Sequence, residues 1–168
     1  MLSYTYYDSP LGPLLLAADG PQLCVLGFPS GSRARHAEDE WREDRTPFDL
    51  CFRQLDDYFG GKRRVFDLAL RPRGTPFQQS VWSRLQEIPY GETISYGELA
   101  RRIGSPKASR AVGAANGANP IPIIIPCHRV IGADRSLTGF GGGLSLKRLL
   151  LNHELDHAPD DGAQRRLF

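Results

Sequence analysis

A small antiparallel α/β unit followed by a mainly helical domain with a helix-turn-helix is the fold class this sequence predicts. Short β-prone runs, separated by turns rich in proline and glycine, occupy the first part of the chain. After residue 75, apolar residues recur at helical spacing behind recognisable caps. Two of those later helices are short and joined through a glycine, the pattern of a helix-turn-helix.

The elements follow in order. Tyr4 to Tyr7, Leu14 to Ala18 and Leu23 to Phe28 read as strands, with turn clusters at 8–13 and 19–21 between them. Residues 30–45 are polar and charged and read as a loop or a weak helix. Thr46 as N-cap and Pro47 at the first helical position open a helix carrying Phe48, Phe52, Leu55 and Phe59, which Gly60 and Gly61 stop. Residues 65–70 read as a further strand. The proline and glycine of 71–75 mark a linker between a domain at 1–70 and a domain at 76–156, with a polar tail at 157–168.

The second domain is read from its caps. Thr75 and Gln78 have capping-box spacing, and Phe77, Val81, Leu85 and Ile88 form the stripe behind them. Ser95 and Glu98 repeat the box and open a helix to about Ile103; Gly104 makes the turn, and Ser105-Pro106 opens the next helix, to about Gly117. Residues 119–122 hold two prolines and are irregular, while 121–125 is an apolar run of β type. A glycine-rich loop at 132–143 precedes a helix from Leu144 to His153 with Leu146, Leu149 and Leu150 as its stripe.

Composition narrows the class. With 168 residues, 40% hydrophobic and 24% charged, the chain suits a globular protein rather than a disordered one. No apolar run approaches the roughly 20 residues that span a bilayer. The N-terminus lacks a basic segment followed by an apolar one, so a cytoplasmic location and no membrane partner are expected. The three cysteines form no C-x-x-C pair, which argues against a disulfide framework or a cysteine-rich zinc site. Cys24 and Cys51 read as small apolar filler. Residues 1–75 carry 10 basic and 11 acidic side chains, whereas 76–153 carry 9 basic and 4 acidic. The second part is therefore the one suited to a polyanion.

The chemistry centres on Cys127 and His128. A thiolate, not a thiol, is the nucleophile, and a neighbouring imidazole can generate it. Pro126 fixes the backbone just before the cysteine. Acidic residues are scarce nearby, and Glu154 is the best candidate to orient the imidazole. The alternative is a buried thiol beside an incidental histidine.

The segments Arg110-Ala-Val-Gly113, Asn119-Pro120 and Ile125-Pro-Cys-His-Arg-Val130 resemble the O6-alkylguanine-DNA alkyltransferases. So do Phe77-Gln-Gln, Val81-Trp82, Ile88-Pro-Tyr-Gly-Glu-Thr93, Ser95-Tyr96-Gly97 and Leu137-Thr-Gly-Phe-Gly-Gly-Gly143. The likeness is strong over 75–154 and looser over 1–70. It implies irreversible transfer of an alkyl group from O6 of guanine in double-stranded DNA to Cys127, in one turnover and with no cofactor. His128 would deprotonate Cys127 through a water molecule, Glu154 would orient His128, and Asn119 would brace the active-site turn.

The lesion base must leave the stack. The resemblance implies that Arg110 fills the vacated space from a helix lying in the minor groove. Ala108, Ala111, Gly113 and Ala114 would let the sugar-phosphate backbone approach, with Ser95 beside them. Tyr96 would contact guanine and the rotating phosphate. The backbone carbonyls of Val130 and Cys127 would accept the exocyclic amine. Gly139 to Gly143 would form a pocket wall, with the backbone donor at Gly141 reaching O6. Phe140 departs from the tyrosine of many relatives: it keeps the apolar wall but has no hydroxyl to donate. No cluster matches the zinc site of some relatives, so no metal is expected. The protein is read as a monomer, with cooperative binding along DNA left open. A non-catalytic damage binder, a cysteine hydrolase and a DNA-binding regulator are the other classes weighed.

Overall fold

The computed structural model describes residues 1–31, 33–137, 140 and 143–158. Strands β1 (Ser3–Ser9), β2 (Gly12–Asp19) and β3 (Gln22–Gly27) form an antiparallel meander, in register from Ser3↔Ala18 to Ser9↔Gly12. Residues 14–18 of β2 are buried on both faces, which is why they are continuously apolar instead of alternating. Leu14, Leu16 and Ala18 join the main core. Leu15 and Ala17 pack on the opposite face with Leu2, Cys24 and Val25, beneath Trp41.

Trp41 belongs to the polar segment read as a loop or weak helix. That segment ends in β4 (Arg42–Glu43), which pairs parallel to β1, so the sheet is mixed, in the order β3-β2-β1-β4. A two-residue exposed edge strand leaves no apolar pattern to read. Residues 65–70 are not a strand: Leu70 alone bridges Leu23. The Gln54 carboxamide takes the place of a strand partner there, accepting from Asp67 N–H and donating to Asp67 O, both at 2.9 Å.

Thr46 is not a helix cap. Its N–H donates to Asp44 Oδ1 at 3.0 Å, and Thr46–Phe48 is a 3-10 turn leading into α1 (Asp49–Phe59). By contrast, α2 (Pro76–Leu85) carries the full Thr75–Gln78 capping box. Its stripe is Val81, Trp82 and Leu85; Phe77 is exposed. Trp82 Nε1–H donates to Ala115 O at 2.8 Å and ties α2 to α4 (Ser109–Gly117).

The helix-turn-helix consists of α3 (Tyr96–Arg102) and α4. Ser95 Oγ accepts from Glu98 N–H at 3.0 Å, but the Glu98 carboxylate turns to Arg101 and Arg102, so only half of the second box forms. Residues 105–108 make a turn closed by Ala108 N–H to Ser105 O, and α4 starts at Ser109, later than the Ser105-Pro106 reading. Gly104, at φ +78°, supplies the left-handed residue between the two helices.

Residues 121–125 are apolar but are not a strand. They fold into a buried turn closed by Ile125 N–H to Ile121 O, with Ile123 at φ +75°. A 3-10 turn at Cys127–Arg129 then feeds β6 (Val130–Ile131), which pairs parallel to β5 (Ile94–Ser95). Helix α5 (Leu144–His157) buries Lys147, Leu150, Leu151 and Glu154, not the Leu146–Leu149–Leu150 stripe; Leu149 is exposed. One core cluster joins both halves, with Leu16, Phe48, Leu55 and Tyr58 from the first and Trp82, Leu99, Val112, Ile125 and Leu150 from the second. Gly139, Gly141 and residues 159–168, most of the tail, lie outside the described residues.

Candidate active site

Two turns and one helix build the site. Asn119 braces the first turn at both ends: its Nδ2 donates to Ile125 O at 2.7 Å and its Oδ1 accepts Ile121 N–H at 2.9 Å. That closure presents Pro126 and the 3-10 turn carrying Cys127, His128 and Arg129, all three buried. Glu154 comes from α5, at the buried face opened by Lys147.

Glu154 is where the polar groups meet. His128 Nε2–H donates to its Oε2 at 2.6 Å. Arg129 donates to both oxygens, Nε to Oε1 at 2.8 Å and Nη2 to Oε2 at 3.0 Å. Tyr58 OH donates to Oε2 at 2.7 Å and Gly91 N–H to Oε1 at 3.4 Å. Arg129 Nη1 is also engaged, by Ile88 O at 2.7 Å. A carboxylate only accepts, so the proton of His128 sits on Nε2. Nδ1 is left as the basic nitrogen, buried and with no hydrogen-bond partner among the described residues.

Burial sets the charge states. It lowers the His128 pKa, against the opposing pull of Glu154, so the imidazole is neutral. Burial alone raises Glu154, but His128 and the permanent charge of Arg129 override it and hold the carboxyl well below the usual range. The Cys127 thiol is pushed up to about 11 by burial, with the Asn119 hydrogen bond and the Lys147 charge working the other way. Cys127 is therefore a resting thiol that needs a base.

Cys127, Asn119 and Phe140 line one cavity of about 210 Å3, with Phe28 packed against Phe140 at 5.5 Å between ring centroids. Arg33, Arg35 and Arg73, from outside the helical half, line it too. Tyr96 and Val130 are not among its lining residues; they meet at Lys147. Lys147 Nζ donates to Val130 O at 2.7 Å and lies 5.9 Å from the centre of the Tyr96 ring. Burial lowers Lys147 to about 8. The two carbonyls expected to receive a guanine amine already accept protein donors, Val130 O from Lys147 and Cys127 O from Asn116 Nδ2 at 3.3 Å. Cys127 O also accepts the Val130 N–H that closes the 3-10 turn, so both of its lone pairs are engaged.

Arg110 and Ala111 are exposed in the first turn of α4, Ala108 immediately precedes it, and Gly113 faces the Tyr96 ring, where an added Cβ would sit 3.8 Å away. Arg110 does not line the Cys127 cavity. Ser95 serves as the cap of α3 and lines a separate groove with Ile94 and Arg135. Among the described residues no group of three or more His, Cys, Asp or Glu could hold a metal.

Sequence reasoning missed Tyr58, Arg129, Lys147 and Asn116. A signal existed for Lys147: it lies three, four and seven residues before Leu150, Leu151 and Glu154, a buried helical face that carries charge at both ends.

Comparison with known proteins decides the family. The family model "6-O-methylguanine DNA methyltransferase, DNA binding domain" matches residues 76–155, and "6-O-methylguanine DNA methyltransferase, ribonuclease-like domain" matches residues 2–72. The chain belongs to the 6-O-methylguanine DNA methyltransferase family. A methylated-DNA–protein-cysteine methyltransferase of Methanosarcina acetivorans is 52% identical over 151 residues, covering 90% of this chain and 97% of that one. The protein of the same name from Mycobacterium tuberculosis is 51% identical over 161 residues, covering 96% and 97%. A crystal structure of Mycobacterium tuberculosis OGT in complex with DNA matches with a TM-score of 0.87 at 51% identity, covering 95% of this chain and 96% of that one. Members of the family transfer alkyl groups from DNA to a protein cysteine, and this chain is a DNA-binding, DNA-repair methyltransferase. No helix among the described residues is long and apolar enough to cross a membrane.

Proposed function

We propose that Cys127 takes the alkyl group from O6 of guanine in double-stranded DNA, once per protein molecule. The observation that carries this reading is the 2.6 Å contact of His128 Nε2 with Glu154, which leaves Nδ1 basic one residue from the thiol. Nδ1 takes the Cys127 proton, relayed by water. The thiolate attacks the alkyl carbon in line; the S–C bond forms as the C–O6 bond breaks, and its electron pair leaves with guanine. Guanine regains a proton, so the thiol proton ends, in net terms, on the base. The thioether has no good leaving group, which makes the transfer irreversible.

Asn119 holds the turn, and the small residues around Arg110 let the DNA backbone come close. Arg110 fills the stack, Tyr96 meets the extruded nucleotide, and the Phe140 ring gives an apolar wall. Arg33, Arg35 and Arg73 supply positive charge at the cavity, where a phosphate backbone must approach. In this reading the protein acts as a monomer in the cytoplasm.

Incubation with duplex DNA carrying labelled O6-methylguanine tests the reading. One methyl per protein is expected. Cys127→Ser should abolish transfer and retain DNA binding. Repeated turnover, or label that never reaches the protein, contradicts it.

A further inference from the structure

The transfer chemistry above draws its reacting groups from the second half of the chain, yet Glu154 is also held from the first. Tyr58, fully buried on α1, reaches across 96 residues of sequence to donate to Glu154 Oε2 at 2.7 Å. The same oxygen orients His128. The link is braced next to Tyr58: His153 Nε2 on α5 lies 2.7 Å from Tyr58 O. The Tyr58 ring also packs against Phe59, Phe66, Tyr90 and His153. The hydroxyl is thus delivered by a rigid, desolvated cluster.

We infer that Tyr58 is a positioning residue for alkyl transfer, through which the first half of the chain holds the Glu154 oxygen that orients His128. The inference rests on the reading of His128 as the base. A carboxylate that accepts from Tyr58 and Arg129 has its charge shared among several donors and its plane fixed. Without the Tyr58 hydroxyl, Oε2 is freer to rotate and concentrates more charge on His128. Imidazolium is then favoured, and His128 stays protonated to a higher pH. The groups facing the pair are Lys147 on α5, Arg129 in the same turn as His128, Tyr58 on α1 and Tyr90 after α2. Removing the hydroxyl leaves all the others in place.

The experiment is the single-turnover rate of methyl transfer from O6-methylguanine duplex, as a function of pH, in the full chain. Tyr58→Phe keeps the ring packing. It should lower the rate about tenfold, the value of one hydrogen bond to a charged group. It should also move the acid limb of the profile to higher pH, with DNA affinity and methyl stoichiometry unchanged. Incorporation of 3-fluorotyrosine at position 58 keeps the hydroxyl and makes it a stronger donor, so it should move the limb to lower pH. This second protein decides the matter even if Tyr58→Phe folds poorly. An acid limb that stays where it is in either protein overturns the inference. A wild-type rate with no acid limb, or one indifferent to His128→Gln, overturns the underlying reading of His128 instead.

Discussion

Around Glu154, five N–H and O–H donors from four residues converge on two oxygens that are almost wholly out of solvent. Around Arg110, on the first turn of α4, the side chains are solvated. The first region is finished before any ligand arrives; its orienting dipoles need no rearrangement at the moment of reaction. The second, on the proposed reading, is completed only when DNA binds. Substitutions in the two regions should therefore fail in different ways, the first in rate and stability together, the second in the handling of duplex DNA alone.

The largest effect should come from Glu154→Gln. It leaves Arg129 buried opposite a neutral amide and deprives His128 of its anion. Breaking such a pair costs about 3–5 kcal/mol of stability, which denaturant unfolding would measure. The transfer rate should fall by about 10²-fold or more through loss of the oriented base.

Alkaline pH should act on the buried core that encloses the first region. The Cys127 pKa is raised from 9.0 to about 11 and that of Cys51 from 9.0 to about 12, both by burial. Above pH 9 the unfolded chain releases these protons while the native state keeps them. The native state then binds more protons than the unfolded one, so stability should fall as pH rises from 9 toward 11. Unfolding curves across that range for wild type and Cys51→Ala, read together, check this: the variant should show the shallower decline.

Arg110→Ala should leave stability within about 0.5 kcal/mol. It should slow repair of duplex substrate more than reaction with free O6-methylguanine base; equal losses on both would remove the stack-filling role. Smallest of all, Arg84→Ala removes an exposed i,i+3 pair with Glu87. It should change stability by no more than about 0.5 kcal/mol and transfer not at all. A measurable loss of transfer there would blur the line between the two regions.

How legible each region was in the sequence follows from the same difference. The meander and the Thr75–Gln78 box were readable because their signals are local, a turn residue here and a cap three residues from its partner there. Cys127, His128 and Asn119 sit in a short motif and the sequence names them together with Glu154 as candidates, though much of that comes through family resemblance. Tyr58 was not found, because a hydrogen bond across 96 residues leaves no trace in spacing; Arg129 lies inside the motif, but its pairing with Glu154, 25 residues on, is equally invisible there. The face of α5 was misread since Lys147 and Glu154 are charged residues at core positions, and hydrophobic periodicity discards them. The buried turn at 121–125 has the composition of a strand; only the Asn119 side chain, which serves its backbone, distinguishes it. The two-residue strands β4, β5 and β6 are too short to carry any period.

The central claim is that Cys127 is a single-use acceptor served by a preformed base. Peptide mass spectrometry of the protein after exposure to a molar excess of O6-methylguanine duplex tests it most directly. The account predicts one added methyl group, on the Cys127 peptide, in stoichiometric yield, with Cys24 and Cys51 unmodified. A methyl group on another residue, or DNA repaired in excess over protein with Cys127 unchanged, would contradict it.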